Sequence, residues 1–111
     1  MSSQERKSTR SVSDQFISYR LFDSEGRVCD EGMARAIDIS RSGVALDCRS
    51  DFEVNSKIDL TIALTDDIVK CVGEVRNVEK ISETAYHVGI QFTEISEDQI
   101  EMIVAEFPEI Q

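Results

Sequence analysis

The sequence predicts an all-β domain: a six-stranded antiparallel barrel followed by one C-terminal α-helix. Three observations carry this. About six segments alternate apolar and polar residues with a period of two. They are joined by short turn-forming stretches with no helical pattern between them, so neighbouring strands pair antiparallel. The last segment then changes to a helical period. Strands that each carry one apolar face bury those faces best by closing on themselves, which also removes exposed edges.

The first strand is read in QFISYRLFD, where Ile17, Tyr19 and Leu21 share a face. DSEGR (residues 23–27) follows as a turn, with Gly26 free to take a positive φ. In MARAIDIS, alternation puts Met33, Ile37 and Ile39 on one side and Ala34, Ala36, Asp38 and Ser40 on the other, which is read as the outward side. RSG (residues 41–43) interrupts the pattern, and VALDC resumes it with Val44, Leu46 and Cys48 on one face. KIDLTIAL places Ile58, Leu60, Ile62 and Leu64 inward, and TDD (residues 65–67) turns. IVKCVGEVRNV is a longer strand in which Gly73 signals a bulge or bend. AYHVGIQF closes the series, with Tyr86, Val88, Ile90 and Phe92 on one side.

The period changes in SEDQIEMIVAEFP. Ile100, Ile103, Val104 and Phe107 fall on one helical face. Ser96 is the expected N-cap and Gln99 its capping-box partner. Glu97 and Asp98 occupy the first turn, where the helix dipole favours them, and Pro108 ends the helix. Such a helix is expected to plug or flank one end of the barrel. The chain is thus read as one domain of 111 residues, with a basic arm over residues 1–12, a barrel over 13–95 and a helix over 96–108.

Composition narrows the function. The net charge is −10, and no Lys or Arg follows Lys80. Such a chain does not coat nucleic acid or anionic lipid by bulk electrostatics, so any anion it binds is held locally by a few placed cations. The acidic C-terminal end reads as a solvated helix face, with a docking surface for a basic partner as the alternative. No apolar run has the length of a membrane span, and MSSQERKSTR lacks the apolar middle of a signal peptide, so a cytoplasmic protein is expected. Cys29, Cys48 and Cys71 are widely spaced and odd in number, which fits reduced, partly buried thiols rather than disulfides. One histidine and no zinc-ligand spacing argue against a metal site. There is no nucleophile elbow or phosphate loop, and His87 has no nucleophile near it in sequence, so no enzyme is expected.

Two short stretches remain. DISRSG (residues 38–43) offers the Asp38 carboxylate and the Ser40 hydroxyl on one face, with Gly43 at a turn that lets a backbone or ligand approach closely. A carboxylate can accept from the N1–H and N2 amine of a guanine, and a hydroxyl can donate to a phosphate or base atom; a simple Asx or Ser turn is the alternative. ERKSTR (residues 5–10) sets Arg6 and Arg10 four positions apart in an otherwise acidic chain. Arginine binds phosphate bidentately, pairs with guanine O6 and N7, and stacks on purines.

Together the two stretches resemble the motifs of the PilZ family. Arg6-Lys7-Ser8-Thr9-Arg10 is similar to its Arg-x-x-x-Arg motif, and Asp38-Ile39-Ser40-Arg41-Ser42-Gly43 to its Asp/Asn-x-Ser-x-x-Gly motif. HVGIQF resembles the family's last strand, and the resemblance runs from about Glu5 to the C-terminal helix. It implies a six-stranded barrel that binds cyclic di-GMP, a bacterial second messenger, without a cofactor. Arg6 and Arg10 would grip phosphates and guanines from a flexible arm. Asp38 and Ser40 would hold a guanine on the barrel, and Gly43 would keep the turn compact. Some relatives carry an arginine where this chain has Glu5; an acid there disfavours phosphate and favours one bound ligand over a stacked pair. The resemblance further implies a downstream protein partner in motility, pili or exopolysaccharide machinery. Two rivals stand beside the receptor: a nucleotide-independent adaptor, and a binder of single-stranded nucleic acid, which the charge and the scarcity of exposed aromatics disfavour.

Overall fold

The computed structural model describes Val12 and residues 15–108. The strands are β1 (Phe16–Phe22), β2 (Val28–Ile39), β3 (Gly43–Cys48), β4 (Lys57–Ala63), β5 (Ile68–Ser82) and β6 (Ala85–Glu94), and the helix is α1 (Glu97–Glu106). All neighbouring strands pair antiparallel, and the order β1-β2-β3-β6-β5-β4 closes into a barrel through the β1–β4 pair.

The period-two reading holds for most strands. Ile17 and Leu21 of β1, Val44, Leu46 and Cys48 of β3, Ile58, Leu60 and Ile62 of β4, and Val88, Ile90 and Phe92 of β6 are buried together in one core. Gly26 takes a φ of 81° in the β1–β2 turn. The register slips between Val72 and Gly73, the irregularity expected at that glycine. A Cβ on Gly73 would come within 2.6 Å of the Ile90 side chain and 2.8 Å of the Gln91 carbonyl, so the bulge brings β5 too close to β6 for any side chain. Phe52, from the loop between β3 and β4, joins the core and stacks obliquely on Tyr19 with ring centroids 5.2 Å apart; alternation carried no signal for it.

β2 differs from its sequence reading. Ala34 and Ala36 are buried and Met33 is 66% exposed, so the two alanines face the core and not the outside. The cause is a bulge: Ala36 pairs with Leu46 and Asp38 with Ala45, and Ile37 between them has no partner. The extra residue reverses the phase, so Asp38 is exposed and Ile39 buried as expected, while everything before Ile37 is inverted. The outward placement read for Ala34 and Ala36 is therefore wrong, and that read for Asp38 holds.

The helix forms as its sequence implies. The Ser96 side chain accepts from the Gln99 amide and the Gln99 side chain accepts from the Ser96 amide, a complete capping box. Ile103 and Phe107 are buried in the barrel core, each contributing on the order of 2 kcal/mol by area. Polar contacts fix the helix rim: Gln99 donates to the Lys70 carbonyl (2.9 Å), the Thr65 hydroxyl donates to Glu106 (2.7 Å), and Arg41 pairs with Glu101 (3.2 Å). α1 thus covers the end of the barrel that carries the β2–β3 and β4–β5 turns. It is too short to cross a membrane, and no described helix is long and apolar enough to do so.

Candidate functional site

The β2–β3 turn is built from its own side chains. The Ser40 amide donates to the Gly43 carbonyl (2.9 Å), closing residues 40–43. The Ser40 hydroxyl oxygen accepts from the amides of Ser42 and Gly43, both at 3.2 Å. This is the serine turn that stood as the alternative for this residue, and it does not exhaust it. With the oxygen accepting two amides, the hydroxyl proton can still donate, to Ser42 Oγ (3.2 Å), to the Gly43 carbonyl (3.4 Å) or to a ligand. The turn is pinned to β6 by the Phe92 amide donating to the Ser42 carbonyl (2.8 Å).

Gly43 is where that pinning requires a glycine. A Cβ there would lie 2.1 Å from the Ile90 carbonyl oxygen, a separation that backbone cannot yield to. It is a β6 carbonyl that approaches this glycine so closely.

Asp38 stands two strand rows below the turn, past the Ile39–Val44 pair. It is exposed, and its carboxylate makes no hydrogen bond or ion pair with another described residue. Its row runs Asp38–Ala45–Gly89–Asn77 across β2, β3, β6 and β5. Alanine and glycine at the two middle positions leave a low floor. A cavity of about 340 Å³ opens over it, bordered by Asp38, Ser40, Gly43, Arg76, Asn77 and Gln91. The structure therefore brings three of the five expected site residues, Asp38, Ser40 and Gly43, to one hollow. Arg6 and Arg10 lie outside the described residues. Arg76 and Asn77, on the far side of the floor, were not singled out in the sequence. Their signal is the switch of buried positions from Val69, Cys71, Gly73 and Val75 to the half-buried Val78, which marks a bulge at residues 76–77.

Two larger hollows, of about 680 and 690 Å³, open elsewhere on the barrel wall. The first lies among Ser18, Arg20, Met33, Asp59 and Lys70, the second among Phe22, Asp51, Phe52 and Lys80. Size does not decide between them and the turn: their charges are mixed, and neither contains a residue of the two motifs.

Other reactive groups are quiet. Burial pushes the Cys48 thiol up to about 12, helped by Asp47, and the Cys71 thiol to about 11, so both stay protonated at neutral pH. Cys29, expected to be partly buried, is exposed. His87 is half-buried on β6 opposite Asp47 and Glu79. Among the described residues no group of three His, Cys, Asp or Glu side chains is arranged to hold a metal ion.

No curated protein matches the chain. Solved structures do. The chain is similar to "MrkH, A novel c-di-GMP dependence transcription regulatory factor", with a TM-score of 0.59 and 19% identity, over 86% of this chain and 47% of that one. It is equally similar to K. pneumonia MrkH in its apo state, with a TM-score of 0.60 and 19% identity, over 85% of this chain and 45% of that one. The chain thus spans about half the length of these neighbours, and the likeness establishes the shared barrel. The PilZ domain model matches residues 4–107, a span that takes in Arg6 and Arg10, the Ser40 turn, all six strands and α1, and the chain belongs to the PilZ domain family.

Proposed function

We propose that this domain is a cyclic di-GMP receptor that acts by binding, not by catalysis. The observation that carries the reading is the hollow beside the Ser40–Gly43 turn, where Asp38 and Ser40 of one family motif meet a floor low enough for a base. The Asp38 carboxylate accepts from the N1–H and N2 amine of a guanine, and the Ser40 hydroxyl donates. Arg6 and Arg10 of the other motif supply the cations for the phosphates.

The chain path supports this division of labour. Gln15, which leads into β1, accepts through its carbonyl from the Ala36 amide (2.8 Å), two residues from Asp38. Arg10 lies five positions and Arg6 nine positions before Gln15, and five extended residues reach at most about 17 Å. Both arginines are thus tethered within range of the hollow. In this reading residues 1–12 are the arm, 13–95 the barrel and 96–108 the helix. Binding orders the arm over the ligand, and arm and ligand together present a surface to a downstream partner. The setting is bacterial and cytoplasmic. MrkH, whose barrel this chain shares, is a transcription regulatory factor dependent on c-di-GMP, which agrees with this ligand.

Calorimetric titration with cyclic di-GMP tests the reading. Arg6→Ala and Arg10→Ala are expected to abolish binding with the unfolding curve unchanged, and Asp38→Ala to weaken it by about 1–3 kcal/mol. Unchanged affinity in both arginine variants would sink the assignment. A wild-type protein that gives no heat and no shift in melting would instead be a nucleotide-independent adaptor.

A further inference from the structure

The barrel carries a cation of its own at this site, outside both motifs. Arg76 lies between Val75, which pairs with Ile90, and Asn77, which pairs with Gly89, and has no strand partner itself. It is the extra residue of a bulge, as Ile37 is in β2. Bulges re-aim side chains. Here one bulge on each flank of the β3–β6 pair turns a polar group outward, Asp38 on one side and Arg76 with Asn77 on the other. A Cβ on Gly89 would meet Asn77 Oδ1 at 2.6 Å, so the Asn77 carboxamide lies directly over the floor. Three strand spacings, about 14 Å, separate Asp38 from Asn77. In the free protein the Arg76 guanidinium rests 3.3 Å from Glu74, in a pair whose side chains are 52% and 33% exposed. Exposed pairs of this kind are weak and exchange readily.

From this geometry we infer that Arg76 and Asn77 form a second, phosphate-directed wall of the ligand platform. Arg76 leaves Glu74 for a phosphodiester oxygen of the ligand, and the Asn77 amide donates beside it. The two walls are chemically opposite. The Asp38 carboxylate repels an anion and takes a hydrogen-bond-donor edge; the guanidinium takes the anion. A molecule that offers a purine donor edge at one end and a phosphodiester about a nucleotide's length away can lie across the floor in one direction only. The inference rests on the receptor reading above, and it adds a residue pair that fixes ligand orientation and a carboxylate, Glu74, that holds the cation in reserve.

The test is calorimetric titration with cyclic di-GMP at low and high salt, on the wild type and on Arg76→Ala, Asn77→Ala and Glu74→Gln, with urea unfolding as the check on the fold. Arg76→Ala is expected to weaken binding roughly tenfold and to flatten its salt dependence, since one charge-assisted phosphate contact is gone. Asn77→Ala should weaken it about threefold. Glu74→Gln should tighten it about two- to fivefold, because Arg76 no longer has to leave a carboxylate. A merely structural role for the bulge does not produce that gain. If the wild type binds and both Arg76→Ala and Glu74→Gln bind within twofold of it, the second wall is refuted while the receptor reading stands. If the wild type does not bind, the receptor reading falls and this inference falls with it.

Discussion

Residues 40–43 and residues 64–67 are two turns of one design. Each follows a strand that runs to the same end of the barrel, and each is closed by its first amide donating to its fourth carbonyl, Ser40 to Gly43 at 2.9 Å and Leu64 to Asp67 at 2.7 Å. Each also touches α1, through Arg41–Glu101 and Thr65–Glu106. They differ in what satisfies their inner groups. The first turn serves itself: the Ser40 hydroxyl takes the amides of Ser42 and Gly43. The second borrows from the helix: the amide and hydroxyl of Thr65 both donate to Glu106. A turn whose inner amides are taken by its own hydroxyl does not depend on α1 for its shape. A turn completed by α1 serves to dock α1. The same backbone becomes a candidate site in one place and a clasp in the other because of side chains and neighbours, above all the Ala45–Gly89 floor that borders only the first.

The largest expected contrast is at the fourth position. Gly43→Ala would drive a methyl to 2.1 Å from the Ile90 carbonyl. Relief requires the turn to lift from β6, costing about 3 kcal/mol. Asp67→Ala, the matching change in the other turn, removes an exposed side chain and should stay within about 0.5 kcal/mol. Urea unfolding of both variants measures the difference directly. Equal midpoints would mean that close packing on β6 does not distinguish the two turns.

The same contrast shows what the sequence could and could not say. Ser-x-x-Gly announced a turn, and the glycine announced a close approach, because those are chemical requirements written in single residues. β4, β6 and α1 were legible for a related reason: unbroken periods of two or 3.6 leave one consistent face. β2 was not. Alanine is small enough for either side of a strand, so Ala34 and Ala36 did not show that Ile37 is an inserted residue, and alternation was carried through a bulge that reversed it. Arg76 stayed hidden behind a similar bulge in β5. Both misreadings fall at the flanks of the candidate site. A bulge works by breaking the period from which strands are read, so the places where side chains are re-aimed are those where alternation misleads. Phe52 was missed because a loop residue has no period at all.

A smaller contrast separates the two hydroxyls. Ser40→Ala leaves the amides of Ser42 and Gly43 without their acceptor, and is expected to cost about 1 kcal/mol. Thr65→Val keeps the shape of the side chain and the Thr65 amide's bond to Glu106, so its cost, also about 1 kcal/mol, comes from the lost hydroxyl–carboxylate bond alone. The sites of damage also differ. Hydrogen exchange should quicken at the β2–β3 turn in the first variant, and along α1 in the second. Loss of α1 protection in Ser40→Ala would show that the first turn depends on the helix after all.

The smallest effect is expected at Arg41, the one side chain of the first turn that does reach the helix. Its pair with Glu101 is 3.2 Å long, with the two side chains 49% and 61% exposed. Water screens such a pair, and both chains lose rotamer freedom to make it, so a double-mutant cycle of Arg41→Ala and Glu101→Gln should give a coupling of no more than about 0.5 kcal/mol. Added salt should remove most of it. The matching cycle for Thr65→Val and Glu106→Gln joins a hydroxyl to a carboxylate over 2.7 Å, a charge-assisted bond expected to couple by about 1 kcal/mol and to resist salt. The helix therefore holds the second turn more tightly than the first. If the Arg41 cycle proved the stronger, the Ser40 turn would be held by α1 as the Thr65 turn is, and the ligand binding proposed at Asp38 and displacement of the helix would be one event instead of two.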